Sequence, residues 1–117
     1  MNKHPEVLVG HIIDSVRAIQ RYLPDTKQDF LKNPEKQDAI IRRLEIIGEA
    51  SSRLADDFRG QYPELPWGKV VGLRNILIHE YFNVDVESIW DLLQGDFKVF
   101  KDEVNQIAKA IGMDEQA

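Results

Sequence analysis

Arg74, His79 and Tyr81 place a guanidinium, an imidazole and a phenol within the eight residues Arg74-Asn75-Ile76-Leu77-Ile78-His79-Glu80-Tyr81. The residues between them are mostly aliphatic and fit a helical pattern. His79 is one of 3 histidines in the chain. Imidazole titrates near ~6.5 in water, so histidine is suited to giving or taking a proton at neutral pH. Arginine is a permanent cation whose planar fork matches phosphate oxygens. RNA carries its own nucleophile, the 2′-hydroxyl. A protein that cuts it without a metal must move a proton and neutralise charge at phosphorus. Arg74 and His79 are the minimum equipment for that reaction.

Geometry sets a condition on this reading. At about 100° per residue, side chains five apart on one helix diverge by about 140°. Arg74 and His79 therefore do not meet on a straight helix. Asn75 and His79, four apart, do meet, so Asn75 is expected to orient the imidazole by a hydrogen bond. For Arg74 and His79 to act on one phosphate, the helix must end near His79 or a second copy must contribute. Two copies about a twofold axis would set two arginines and two histidines around one groove, so a homodimer is a requirement of the catalytic reading. A helix C-terminus near His79 would favour a cation by about 0.3–1 kcal/mol, helping to hold the imidazolium needed for a general acid. Spacing alone also fits a bland alternative, a surface Arg and His paired with acids such as Glu80.

The elements that must position these groups are helical. Pro5 suits a first helical position, and Leu8, Ile12, Val16, Ile19 and Leu23 recur at three or four residues up to Pro24. Thr26 can cap a short helical piece, with Asp29 in the capping-box position. Asn33-Pro34-Glu35 is a helix start, followed by the stripe Ile40, Leu44, Ile47, Ser51, Leu54, Phe58, with Gly60 expected to end the helix in a left-handed cap. Pro66 is expected to open the helix that carries Val70, Leu73 and Leu77. Asp85 can cap a last long helix, with Val84 stapled on Ile89 and an apolar face from Ile89 to Ile111. No period-two run of strand length appears. The pattern predicts an all-α antiparallel four-helix bundle with an additional short helix, as a single domain over residues 1–117.

Composition narrows the function classes. Apolar residues make up 43% of the 117, a globular proportion. There is no cysteine, which removes disulfides, thiolate metal sites and a cysteine nucleophile and suits a cytoplasmic protein. The opening residues show no secretory signal, and no apolar run approaches the ~20 residues of a membrane span, so no membrane role is expected. Net charge is −5, yet residues up to 84 carry 12 basic against 12 acidic side chains; the excess lies beyond, where 3 face 8. A local cationic site is possible, and a broad basic face is not expected. Arg42 and Arg43 could track an RNA backbone, but Asp38 and Glu45 stand near enough to neutralise them.

Other conspicuous residues receive structural assignments. His11 is expected to be packed or at an interface, His4 to be a terminal residue without a role, and Trp67 and Trp90 to be core anchors. No histidine pair stands at i, i+4 and no carboxylate cluster accompanies His79, so neither a metal site nor a cofactor is expected. Gly48 costs its helix about 1 kcal/mol relative to alanine, which implies close approach of another helix. Glu49 is assigned first to structure, as a buried partner for an arginine, and second to support of the site.

The chain also resembles a family. Arg74, four residues, His79, one residue, Tyr81 is the mark of the HepT-like group of the HEPN superfamily. Arg43-Leu44-Glu45-Ile46-Ile47-Gly48-Glu49-Ala50 upstream, Pro66-Trp67 before the motif, and Asn83-Val84-Asp85 with Trp90 after it fit as well. The resemblance implies a HEPN-like helical bundle, a homodimer, and a metal-independent ribonuclease acting as the toxin of a toxin–antitoxin pair. It implies an MntA-like nucleotidyltransferase antitoxin that adds AMP to the motif tyrosine. Residue by residue, Arg74 would stabilise the scissile phosphate, His79 would be the general acid or base, Asn75 would support the site and Tyr81 would be the modification target. A non-catalytic HEPN binding module that partners a nucleotidyltransferase is the alternative.

Overall fold

A computed structural model describes residues 4–80 and 83–113. Within them lie seven α-helices: α1 (Pro5–Tyr22), α2 (Lys27–Leu31), α3 (Pro34–Arg53), α4 (Asp56–Gly60), α5 (Trp67–His79), α6 (Val86–Gln94) and α7 (Asp96–Ala110). No strand occurs among the described residues. The architecture is all-α, as the periodicity predicts.

The starts follow local chemistry. Pro5 and Pro34 occupy the first turns of α1 and α3, where a missing N–H costs nothing. Asn33 accepts a hydrogen bond from the Lys36 amide at 3.1 Å, and Thr26 accepts one from Asp29 at 3.1 Å. Asp85 caps α6, accepting from the Glu87 amide at 3.0 Å and from the Ser88 hydroxyl at 2.9 Å. Val84, just before the cap, packs on the core. At the other end of α1, Leu23 is extended, as the residue before Pro24 must nearly be.

Two long helices expected from the apolar stripes are each broken. The stripe from Ile40 to Phe58 is continuous only to Arg53, where Leu54 and Ala55 turn extended before α4 begins. Ser52 donates its hydroxyl to the Glu49 carbonyl at 2.7 Å, a local bond that competes with the helix ladder. Asp56 and Asp57 then restart a helix with acids in its first turn. Leu54 and Phe58 are both buried across the break, so the stripe was real although the helix was not continuous. Gly60 makes no left-handed cap; positive φ among the described residues is found at Gly112. The second break is at Gly95, between α6 and α7. It lets α6 turn toward α2, with Trp90 5.6 Å from Phe30, while α7 lies against α1.

The core is built mainly from α1 on α3, with α7 closing one side; Ile12, Ile19, Phe30, Ile40 and Leu93 are essentially sealed. Helix α5 packs on α3 and differs from the rest. Its apolar residues are spread around the helix, interrupted by Lys69, Arg74, Asn75 and His79, and Leu77 is its one fully buried residue. Ile76 and Ile78 stand 56% and 45% exposed. No described helix is long and apolar enough to cross a membrane.

Candidate active site

Gly48 sets the depth at which α5 sits on α3. A methyl group there would overlap the Arg74 stem and come within 3.1 Å of the Val70 carbonyl oxygen. The glycine that weakens α3 thus admits α5, the close approach its cost implied. Arg74 is pressed onto α3 as a result. Its Nη2 donates to Glu49 Oε1, and its Nη1 donates to Asn75 Oδ1 at 2.7 Å. Its Nε is buried without a hydrogen-bond partner. Of the five guanidinium N–H groups, one therefore points at Glu49, one at Asn75 and one into the packing. The remaining edge is available, and the side chain keeps 29% of its surface exposed.

Glu49 is bound on both sides. Its other oxygen, Oε2, accepts from Arg53 Nε at 2.8 Å. The Arg53 hydrogen bond first, then the charges of Arg74 and Arg53, hold the Glu49 carboxyl below its ordinary range, against an opposing desolvation. Glu49 is half-exposed, so the expected buried partner is a surface clamp between two arginines. Arg53 itself had no place in the sequence reading. Its signal was there in the i, i+4 spacing to Glu49, beside a glycine that marked the helix contact.

His79 is the last residue of α5, and the Glu80 amide closes the helix onto the Ile76 carbonyl at 2.8 Å. The imidazole is exposed. Both Arg74 and His79 are helical, so the ~140° divergence applies in full. Among the described residues no hydrogen bond joins the two side chains, and His79 does not line the cavity that Arg74 lines. Nor, among the described residues, does a hydrogen bond join Asn75 to His79; Asn75 serves Arg74 instead. Tyr81 lies outside the described residues, and its orientation beside the site with it.

The Arg74 side opens on a cavity of about 420 Å³ between α1, α3 and α5. His11 lines it and is exposed rather than packed in the core, because it lies at the edge of the apolar face of α1. A second cavity, about 220 Å³, lies on the other flank of α5; its walls are apolar apart from Lys69 and Asp96. Neither residue is placed for proton transfer at Arg74. Among the described residues no three His, Cys, Asp or Glu side chains cluster as a metal site would. Trp67 and Trp90 are partly buried against the core, and Trp67 Nε1 donates to the Tyr62 carbonyl at 3.0 Å.

Comparison with known proteins follows the same line. The profile of a family described as Ribonuclease HepT-like matches residues 12–107. A protein of Thermococcus cleftensis, named probable ribonuclease HepT, is 42% identical over 99 residues, covering 84% of this chain and 90% of its own. A Methanocaldococcus jannaschii protein with a provisional RNase name is 42% identical over 94 residues, covering 80% of this chain and 86% of its own. Another from that organism, whose name joins a gamma-glutamylcyclotransferase to a provisional RNase, is 38% identical over 112 residues, 95% of this chain. The chain spans 50% of that relative's length. No solved structure matches the chain.

Proposed function

The chain belongs to the HepT-like ribonuclease family, and on that premise we propose that it is a metal-independent RNA endonuclease acting as a homodimer. The observation that carries the reading is Arg74, fixed by Glu49 and Asn75 at the lip of a cavity, on the helix that ends in an exposed His79. The 2′-hydroxyl of the substrate attacks the adjacent phosphorus, forming a 2′,3′-cyclic phosphate and expelling the 5′-oxygen. Arg74 offsets the charge that builds on the phosphoryl oxygens, and His79 takes or delivers the proton. The two groups diverge on α5, so the productive pair is Arg74 of one copy and His79 of the other. The uncovered side of α5 that carries Ile76, away from the groove lined by Ile78, supplies the twofold contact.

The same reading makes the protein the toxin of a toxin–antitoxin pair. An MntA-like nucleotidyltransferase would silence it by AMP addition to Tyr81. The phenol oxygen attacks the α-phosphorus of ATP, pyrophosphate leaves and the phenolic proton is released. The added phosphodiester is an anion two residues from His79, where it would compete with substrate for Arg74. Two measurements test the proposal. RNA cleavage in EDTA should be strong for wild type and lost in Arg74→Ala and His79→Ala; cleavage that needs magnesium, or that survives in His79→Ala, ends the catalytic reading and leaves a binding module. Intact-protein mass spectrometry after incubation with the nucleotidyltransferase and ATP should show AMP on Tyr81. An adduct on Tyr22 or Tyr62 ends the proposed role of Tyr81.

A further inference from the structure

The cavity beside Arg74 holds more cationic chemistry than one phosphate needs. Arg42 and Arg53 line it from α3, with Arg74 entering from α5. Residues 42 and 53 are eleven apart, which is three turns and so nearly the same face of the helix. Glu49, the anchor of Arg74, lies on that stripe between them. It is ~6 Å along the axis from Arg53 and ~10 Å from Arg42, at 1.5 Å per residue. Three guanidiniums therefore stand in file along one groove. Arg43, the neighbour in sequence, points away and meets Ser15 at 3.5 Å.

The intrahelical pairs do not cancel this file. Arg42 meets Glu45 at 3.3 Å while 70% exposed, and Arg53 is 57% exposed. Ion pairs between such exposed groups hold weakly and exchange readily for another anion. Against the three arginines the two glutamates leave the groove a net positive charge, so an anion binds there modestly and in a salt-dependent way. Between the charges the floor is apolar, with Leu8 and Ile78. At about 420 Å³ the groove lies in the ~300–1,000 Å³ range of small-ligand sites. Apolar floor and cationic rim suit a base or ribose flanked by phosphates. His79 does not line the groove, so it leads away from the proton-transfer side of Arg74.

We propose that the α1–α3–α5 groove is a subsite for the single-stranded RNA flanking the cut, with Arg53 holding a phosphate on one side of the scissile one and Arg42 a phosphate on the other side. The inference rests on the ribonuclease reading and adds a length preference to it. The test is kcat/KM on unstructured oligoribonucleotides from a dinucleotide to ~8 nucleotides, the scale of single-strand sites. Wild type should gain about tenfold from added length, the scale of one or two charge-assisted contacts. An Arg42→Ala/Arg53→Ala double variant should lose that gain, and its salt slope should flatten by ~0.7 for each phosphate contact removed. Arg53→Lys should keep most of it. If Arg53 acts only by steadying Glu49 and Arg74, short and long substrates fall together and their ratio stays at the wild-type value; that result overturns the subsite. So does a wild type that cuts with no gain from length, which leaves the ribonuclease reading standing. A wild type that cuts no RNA removes both.

Discussion

The two ends of the functional stretch of α5 are built differently. Arg74 is locked: a glycine on α3 admits its stem, Glu49 and Asn75 bind its guanidinium, and Nε is sealed in the packing. His79 sits five residues on, exposed, at the last residue of the helix. The group proposed to stabilise charge is fixed by neighbours in its own chain, and the group proposed to move the proton faces outward. A charge stabiliser gains from rigidity, because its dipole must be aimed before charge develops. A proton-transfer group gains from a partner that completes its surroundings. On the proposed twofold, each copy supplies the fixed half to one site and the outward half to the other.

The comparison breaks or stands most sharply on complementation. Arg74→Ala and His79→Ala homodimers should each lose at least ~10²-fold in RNA cleavage. A mixed dimer of the two variants contains one site with both groups intact if the pair acts across the interface, and no intact site if it acts within one copy. Recovery to about half of wild-type activity in the purified mixed dimer, and to about a quarter on random equimolar mixing, is the expected result. Mixed dimers as dead as their parents would place both groups in one copy and end the divided site.

Next in size is the glycine. Gly48→Ala would gain about 1 kcal/mol of helix propensity, but the added methyl meets the Arg74 stem and the Val70 carbonyl, and neither is the end of a flexible chain. Overpacking of this kind costs typically ~1–3 kcal/mol, so the melting temperature should fall. A small displacement of Arg74 can cost on the order of 10²-fold in rate. A Gly48→Ala protein as stable as wild type would show that α5 is not pinned there.

This glycine also shows how far the sequence could be read. The Arg74–His79 spacing, the prolines and the caps are local signals, and they located α1, α3, α5 and α6 at their starts. The wide apolar stripes marked the core correctly but overstated helix length, because a stripe survives a break when Leu54 and Phe58 are buried on both sides of it. Gly48 announced a close approach without naming what approached. The clamp of Glu49 between Arg53 and Arg74 joins residues 25 apart in the chain, and only the α3–α5 crossing decides which arginine arrives. For Asn75 the i, i+4 spacing points to His79, and the hydrogen bond present in the structure is the one from its immediate neighbour Arg74.

A smaller effect should come from the clamp itself. Glu49→Gln removes the charge that holds Arg74 while keeping the shape, and should lower cleavage roughly tenfold, the scale of one charge-assisted hydrogen bond. The pH dependence carries the sign. The Glu49 carboxyl is held below its ordinary range by Arg53 and Arg74. Its contribution to stability is therefore complete above the unfolded value, ~4.3 for a free glutamate, and is lost as pH falls through the lower folded value. Wild type should thus exceed Glu49→Gln in stability by a constant margin near neutrality, with the margin closing in acid. A margin that instead grows on acidification would mean that Glu49 is not the anion of this clamp.

The finest test separates the two halves through Asn75, which touches both in sequence and only one in the structure. Its Oδ1 accepts from Arg74 Nη1 at 2.7 Å, and no hydrogen bond joins it to His79. Losing one such bond from a partly exposed pair costs about 0.5–1.5 kcal/mol, so Asn75→Ala should slow cleavage by roughly two- to tenfold. The shape of the pH–rate profile tells which half was touched. If Asn75 steadies Arg74, the rate falls by the same factor at every pH, since the guanidinium is not the group that moves the proton. If Asn75 orients the imidazole instead, the limb of the profile set by His79 moves when the bond is lost. A uniform drop is expected. A displaced limb would return Asn75 to the histidine, and would mean that the proton-transfer half is also braced from within its own helix.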